Sequence, residues 1–262
     1  MKTTSNPTTR TGQVVPSVIR AGRILDELAS GPPSATLASL SKRLGYPRSS
    51  TLALCNSLVD TGLVLRDADG SYRLGPHTLE LSRSYLGQTD LLSEFRRVVA
   101  ETNSLSEQTL VSSVLRGRDV IYVGSRPGTN PLGVNYEIGL RLPAHCTASG
   151  LVMLSSLSAD QLEALYGGVD HLEQLTSRSI GSFAELQGRL GEVRERGYAI
   201  DDEETALGMI CLGASVRDDT DETVGAVAVS MPKGARATSE FARAGEEVLN
   251  LAGRISHALG AP

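Results

Sequence analysis

Leu37-Ala38-Ser39-Leu40-Ser41-Lys42-Arg43-Leu44-Gly45-Tyr46-Pro47-Arg48-Ser49-Ser50-Thr51-Leu52-Ala53-Leu54-Cys55-Asn56-Ser57-Leu58-Val59-Asp60-Thr61-Gly62-Leu63 is the stretch on which the reading of this 262-residue chain turns. Leu37, Leu40 and Leu44 recur at helical spacing and predict a short amphipathic helix that Gly45 ends. Pro47 suits the first turn of the next helix. That second helix opens on a cation and small polar residues and continues into an apolar body, with Thr51, Leu54 and Leu58 expected to face inward. Its N-terminus is built to touch something polar, and its body to hold a core.

Working outward, Pro16-Ser17 begins a helix with Val18, Ala21, Leu25 and Leu28 at inward spacing, until Ser30-Gly31-Pro32-Pro33 stops it. On the other side, Leu63-Val64-Leu65-Arg66, the turn Asp67-Ala68-Asp69-Gly70 and Ser71-Tyr72-Arg73-Leu74 predict a β-hairpin. Three helices and a hairpin make a winged helix-turn-helix, expected over residues 16–75 after a polar, Thr-rich and disordered tail over 1–15. In such a unit the third helix enters the major groove of double-stranded DNA by its N-terminal turn. Arg48, Ser49, Ser50 and Thr51 are therefore the candidates for base edges or phosphates, and Lys42, Arg43, Arg66 and Arg73 stand where helix ends and a wing reach the backbone. The alternative is that Ser49 and Ser50 only cap the helix and the cations are solvated surface.

Composition narrows the function classes. Aromatic residues make up 4% of the chain and there is no Trp, so a base-stacking platform for single-stranded nucleic acid is not expected. Three cysteines without a C-x-x-C pair suggest neither a disulfide framework nor a zinc ribbon. The apolar runs are too short to span a membrane, and no export signal opens the chain, so a cytoplasmic protein is expected. The net charge of −5 hides an asymmetry: ten Lys and Arg against six Asp and Glu through Gln88 give +4, leaving −9 for the remainder. A basic N-terminal third can hold phosphates while the acidic remainder limits non-specific adhesion.

After the hairpin, 76–88 reads as a linker helix, and a longer helix from Asp90 to about Leu105 carries Leu91, Leu92, Phe95, Val98 and Val99 on one side. From Gln108 the period changes. Residues 109–115 and 120–123 flank the turn Arg116-Gly117-Arg118-Asp119 as a hairpin, and a strand is expected near Val134 to Ile138. Helices follow at Leu151 to Leu157, Ala159 to Leu165 and Phe183 to Arg196, then strands at Met209 to Val216 and Val224 to Met231, then a closing helix from Ser239 to Leu259. Hairpins at both ends of a helical middle predict an α+β domain over 89–262 with a mostly antiparallel sheet.

Two sets of residues carry a resemblance. Leu40 to Ser50, with Leu58, Gly62-Leu63 and Tyr72-Arg73-Leu74-Gly75, looks like the DNA-binding domain of the IclR family of bacterial transcription regulators. Leu142-Pro143, His145, Ala148-Ser149-Gly150, the run Arg196 to Glu204, Gly208, Cys211-Leu212 and Val227 to Pro232 resemble that family's other half. The resemblance implies a GAF-like effector-binding domain, a homo-oligomer (dimer or tetramer), and a repressor of a catabolic operon that binds operator DNA and a small-molecule effector without a cofactor. In the family's recognition helix an Arg often stands where this chain has Ala53, and a His where it has Leu52. Operator preference should therefore differ, with Arg48 and Asn56 left to read it.

Carried over position by position, the effector cavity would be lined by Val134, Leu142, Ala148, Ser149, Asp201, Met209, Cys211, Ala228 and Ser230. A small carboxylate suits it, because amides at a helix N-terminus around Ala148 and Ser149 are anion donors and Ser230 adds a hydroxyl. Ala228 and Leu151, where relatives carry a hydroxyl and Lys, make this version more apolar and point toward an aromatic or longer-chain acid. Asp201 would repel a carboxylate unless it binds a hydroxyl, stays protonated or points away. Among other chemistries, His145-Cys146 suggests a cysteine enzyme, but adjacent residues rarely aim at one another. An architectural role for the helix-turn-helix is the third class. Asp201 to Glu204 reads as a solvated acidic turn rather than a metal site.

Overall fold

Helix α1 (Pro16–Ser30) begins on a proline and closes where the Gly31 amide donates to Glu27. In this computed structural model, residues 14–88, 90–102, 104–129 and 136–262 are described. The buried positions of α1 are Ile24 and Leu28, whereas Val18 is 68% exposed. The inward face is thus turned by part of a helical step from the expected Val18 line, because the core it meets is made by the next two helices. Helix α2 (Leu37–Leu44) starts where the Thr36 hydroxyl accepts from the Ser39 amide, and ends at Gly45 in the left-handed region (φ 68°) that glycine adopts without strain. Helix α3 (Arg48–Asp60) follows Pro47 directly and buries Thr51, Cys55 and Leu58, leaving Leu54 half-buried.

Strands β1 (Val64–Arg66) and β2 (Tyr72–Leu74) pair antiparallel, and Ala35 bridges Tyr72. One core of Ile24, Leu28, Leu40, Cys55, Leu58, Val64 and Tyr72 holds the three helices and the hairpin together. Helix α4 (His77–Gln88) comes next, and the boundary between the chain's two structural units, Met1–Tyr85 and Leu86–Pro262, falls within it.

The second unit is organised on one antiparallel sheet. Helix α5 (Asp90–Ala100) precedes the hairpin of β3 (Thr109–Arg116) and β4 (Asp119–Arg126). Then come β5 (Arg141–Pro143), a 3-10 turn (Ala144–Cys146), α6 (Ala148–Ser155), α7 (Ala159–Tyr166), α8 (Phe183–Arg196), β6 (Ala199–Asp202), β7 (Met209–Arg217), β8 (Thr223–Pro232) and α9 (Ser239–Ala258). The six strands run in the order β5-β4-β3-β8-β7-β6, every pair antiparallel. The expected strand near Val134 is not seen at residues 136–138, and Val134 lies outside the described residues; the pairing is made instead by β5.

Successive side chains of a strand point to opposite faces, and here both faces are covered. Ile210, Leu212, Ala214 and Val216 of β7, with Val227, Val229 and Met231 of β8, pack with α5 and α9. Cys211, Ala226 and Ala228 turn the other way, into a core with α6, α7 and α8. Glycine permits the closest approach: a Cβ at Gly213 would lie 2.7 Å from the Ala148 carbonyl carbon, so β7 passes directly against the start of α6.

Candidate functional site

The DNA-facing candidates sort by exposure. Arg48, Ser49, Leu52, Ala53, Asn56 and Ser57 are exposed on α3, successive pairs four residues apart and hence on one helical face. No side chain caps α3, so neither Ser49 nor Ser50 acts as its cap, and the first-turn amides beside Arg48 remain open to an acceptor. Thr51 leaves the candidate set: it is 0% exposed and its hydroxyl donates to the Pro47 carbonyl at 3.1 Å. Ser50 is half-buried. Arg43 pairs with Glu27 at 2.9 Å, Arg73 with Asp67 at 3.0 Å, and Arg66 lies 5.8 Å from the Tyr72 ring centroid, while Lys42 is exposed.

In the second unit, Ala148, Ser149, Asp201, Cys211, Ala228 and Ser230 line one cavity together with Val111, Tyr122, Tyr136, Thr147 and Val229. Six of the nine expected residues are thereby brought together from α6, β6, β7 and β8. Leu142 is not among them, since on β5 it pairs opposite Val120 and packs against the hydrophobic core; Met209, at the start of β7, lines an adjoining cleft near Gln108 and Pro232 that shares Ser230 with this cavity.

The cavity is narrow, with a free volume of about 10 Å³, enough for roughly one water. Tyr136 fills it. Its phenol lies 3.2 Å from Ser230 Oγ and 3.9 Å from Cys211 Sγ, and its ring meets Tyr122 edge-on at 5.1 Å between centroids. Burial holds both phenols protonated, well above their ordinary range. At the helix end, Thr147 Oγ accepts from the Gly150 amide at 2.9 Å, and the buried Ser149 Oγ lies close to the Tyr122 phenol without a well-formed hydrogen bond. Tyr122 lies in the strand expected over 120–123 but nothing in the sequence marks which face it takes, and Tyr136 is an isolated tyrosine in a weak β pattern; the Thr147 cap before Ala148 does carry a signal.

Asp201 is buried, and its Oδ1 accepts from the Glu204 and Thr205 amides at 2.7 and 3.2 Å. Burial pushes its carboxyl above the usual range despite those bonds. Both features reduce its repulsion of an anion. The acidic run is not a solvated turn: Glu204 is 1% exposed against Arg189 Nη2 at 2.9 Å, and Asp202 is held by Lys233 and Arg236. Burial raises the Glu204 carboxyl to about 7.

The cysteines are not activated. His145 Nε2 and Cys146 Sγ both donate to the Glu173 carbonyl, at 2.7 and 3.5 Å, so neither serves the other as a base. Burial pushes the Cys146 thiol up to about 11 and the Cys211 thiol up to about 12, far from the thiolate a nucleophile requires.

Among the described residues no helix is long and apolar enough to cross a membrane, and no group of His, Cys, Asp and Glu is arranged to hold a metal ion. Comparison with known proteins matches an IclR helix-turn-helix domain to residues 17–68 and the bacterial transcriptional regulator IclR C-terminal domain to residues 83–257. The HTH-type transcriptional regulator XynR of Escherichia coli is 28% identical over 95% of this chain and 99% of its own. The repressor BlcR of Agobacterium tumefaciens is 35% identical over 96% of this chain and 100% of its own, with a TM-score of 0.62. An IclR homolog from Microbacterium hydrocarbonoxydans, complexed with 4-hydroxybenzoate, shares the fold at a TM-score of 0.72 and 19% identity over 93% of this chain and 98% of its own. With one family model spanning the effector half and another the helix-turn-helix, this chain belongs to the IclR family of bacterial transcription regulators, a family of regulators and not of enzymes.

Proposed function

We propose that the chain is a cytoplasmic, ligand-responsive repressor of a catabolic operon, working as a homo-oligomer and sensing a small, aromatic carboxylate in the cavity between α6 and strands β7 and β8. Residues 16–75 bind the operator, 76–88 connect, and 89–262 form the GAF-like effector domain. On α3, Arg48 and Asn56 read base edges, since Leu52 and Ala53 between them offer only apolar contact. Lys42, Arg66 and the open first turn of α3 hold phosphates. Effector binding favours one arrangement of the paired DNA-binding domains over another, and half-site spacing converts that preference into affinity.

The observation that carries the effector reading is the state of the cavity: the buried Ser149 hydroxyl, beside the Tyr122 phenol, makes no well-formed hydrogen bond, and a phenol of the protein's own, that of Tyr136, occupies Ser230. A carboxylate accepting from Ser149 and a ring bearing a hydroxyl in place of Tyr136 would satisfy both. The related fold complexed with 4-hydroxybenzoate makes that acid the first probe.

The test is fluorescence anisotropy on DNA taken from upstream of the chain's own gene, with and without 4-hydroxybenzoate and aliphatic acids. Sequence-specific binding that an aromatic acid shifts supports the proposal. Absence of any specific binding, with or without acids, refutes it.

A further inference from the structure

A second and larger cleft, about 460 Å³, opens in the effector domain at the β3–β4 turn, beside β5 and the segment after α7. That volume falls within the roughly 300–1,000 Å³ of small-molecule sites. It shares no lining residue with the α6 cavity. Its walls carry Arg116, Arg118, Arg141, His145, Tyr166 and His171, with the carboxylates Asp119 and Glu173.

Two buried groups in this wall lack partners. Tyr166 is 0% exposed and its hydroxyl makes no hydrogen bond; His145 is 4% exposed and its Nδ1 makes none. Because His145 Nε2 donates to the Glu173 carbonyl, the neutral ring leaves Nδ1 as a bare acceptor. Burial depresses the His145 pKa and favours that neutral ring, while it keeps the Tyr166 phenol protonated and able to donate. Together the two atoms ask for a group that both donates and accepts, which is a hydroxyl. A water would meet that demand alone.

The charge asks for more than water. Arg141 is neutralised by Asp119, whose Oδ2 accepts from its Nε at 2.7 Å. Among the described residues the guanidiniums of Arg116 and Arg118, both exposed at the turn, have no carboxylate partner. Two free guanidiniums at the mouth of a concave site favour an oxyanion, which a planar fork binds through paired N–H donors.

We propose that this cleft is a second small-molecule site, for an oxyanion that also carries hydroxyls: Arg116 and Arg118 hold the anionic group, and a ligand hydroxyl bridges Tyr166 and His145 Nδ1. Phosphorylated polyols and hydroxy acids share this chemistry. The bridge would bear on the Ala144–Cys146 turn, whose chain continues into Thr147, Ala148 and Ser149 of the effector cavity wall. A ligand here is therefore placed to alter the response to the effector, and the coupling is reciprocal.

Isothermal titration of the full chain with glycerol 3-phosphate, D-glycerate, inorganic phosphate and acetate tests the proposal. One of the hydroxylated anions should bind at least about tenfold tighter than its counterpart without hydroxyls, since polar groups built for a hydroxyl penalise its absence; the tighter of the two identifies phosphate or carboxylate as the source. The double variant Arg116→Ala/Arg118→Ala should weaken that binding about tenfold or more. Tyr166→Phe, which keeps the ring stacked 5.9 Å from Phe183, should erase most of the hydroxyl preference, and Ser230→Ala in the other cavity should change neither. No heat with any probe, equal affinity with and without hydroxyls, or loss of binding in Ser230→Ala would each overturn the assignment.

Discussion

Glu204→Gln gives the sharpest test of how the acidic run is built. Glu204 is buried beside Arg189, and although that guanidinium favours the carboxylate, burial dominates and the folded-state pKa rises from 4.5 to about 7. For an acid the sign is definite. Between pH 4.5 and 7 the folded chain holds more of this proton than the unfolded chain, so stability from Glu204 is fully present below 4.5 and is lost as pH rises through 7. At about 1.4 kcal/mol per unit, the shift amounts to about 3 kcal/mol. Glutamine keeps the shape and cannot ionise, so the stability of Glu204→Gln relative to the parent should improve by that order between pH 4.5 and 8. The assay is urea unfolding followed by tyrosine near-UV circular dichroism, to which buried Tyr122, Tyr136 and Tyr166 of the second unit contribute alongside Tyr72 of the helix-turn-helix core. Taking the difference between variant and parent cancels the opposite pH dependence of groups such as Asp218, whose carboxyl the Thr220 hydroxyl holds low. Parallel curves for the two proteins across this range would refute the reasoning.

Further outcomes follow from the same geometry. Arg48→Ala should weaken specific operator binding by about 1–3 kcal/mol if the guanidinium forks onto a base, and anisotropy against several sequences should show the loss concentrated on the preferred one. Ser230→Ala should move the effector dose response while leaving DNA affinity without effector unchanged, read from the same titration. Gly213→Ala would force a methyl to 2.7 Å from the Ala148 carbonyl carbon; a loss of about 1–3 kcal/mol is expected on urea unfolding, because the contact is backbone and cannot rotate away.

What was legible in the sequence follows what has a period or a punctuation mark. Helices α2 and α8 end at Gly45 and Gly197, both in the left-handed region, and the turn of β1 and β2 sits on Gly70, so glycine position alone bounds them. Elements whose neighbours decide their orientation were less legible. On α3 the apolar positions Leu54 and Cys55 are adjacent, and only packing against Ile24 and Tyr72 selects Cys55 for the centre. On β7 nearly every residue is apolar, as expected of a strand covered on both faces. The alternation that sends Cys211 to the α6 side and Ile210 and Leu212 to the α9 side is invisible until both helical layers are in place.

The candidate effector cavity divides along the same line. Ala148, Ser149, Cys211 and Ser230 belong to recognisable runs, whereas Tyr136 belongs to none, although its phenol reaches both Ser230 and Cys211. Its ring is buried, edge-on to Tyr122, and its hydroxyl is shared with Ser230 and Cys211, so a ligand taking its place, as proposed, would have to displace an aromatic contact and hydrogen bonds. Aromatic pairs and neutral hydrogen bonds are each worth about 1 kcal/mol, so removing the ring costs about 2 kcal/mol before its lost burial is counted. A small aliphatic acid returns little of this, because it replaces neither the ring nor the phenolic hydroxyl. A hydroxylated aromatic acid returns both. Selectivity for such acids would therefore arise from the difficulty of evicting Tyr136 as much as from the residues that receive the ligand.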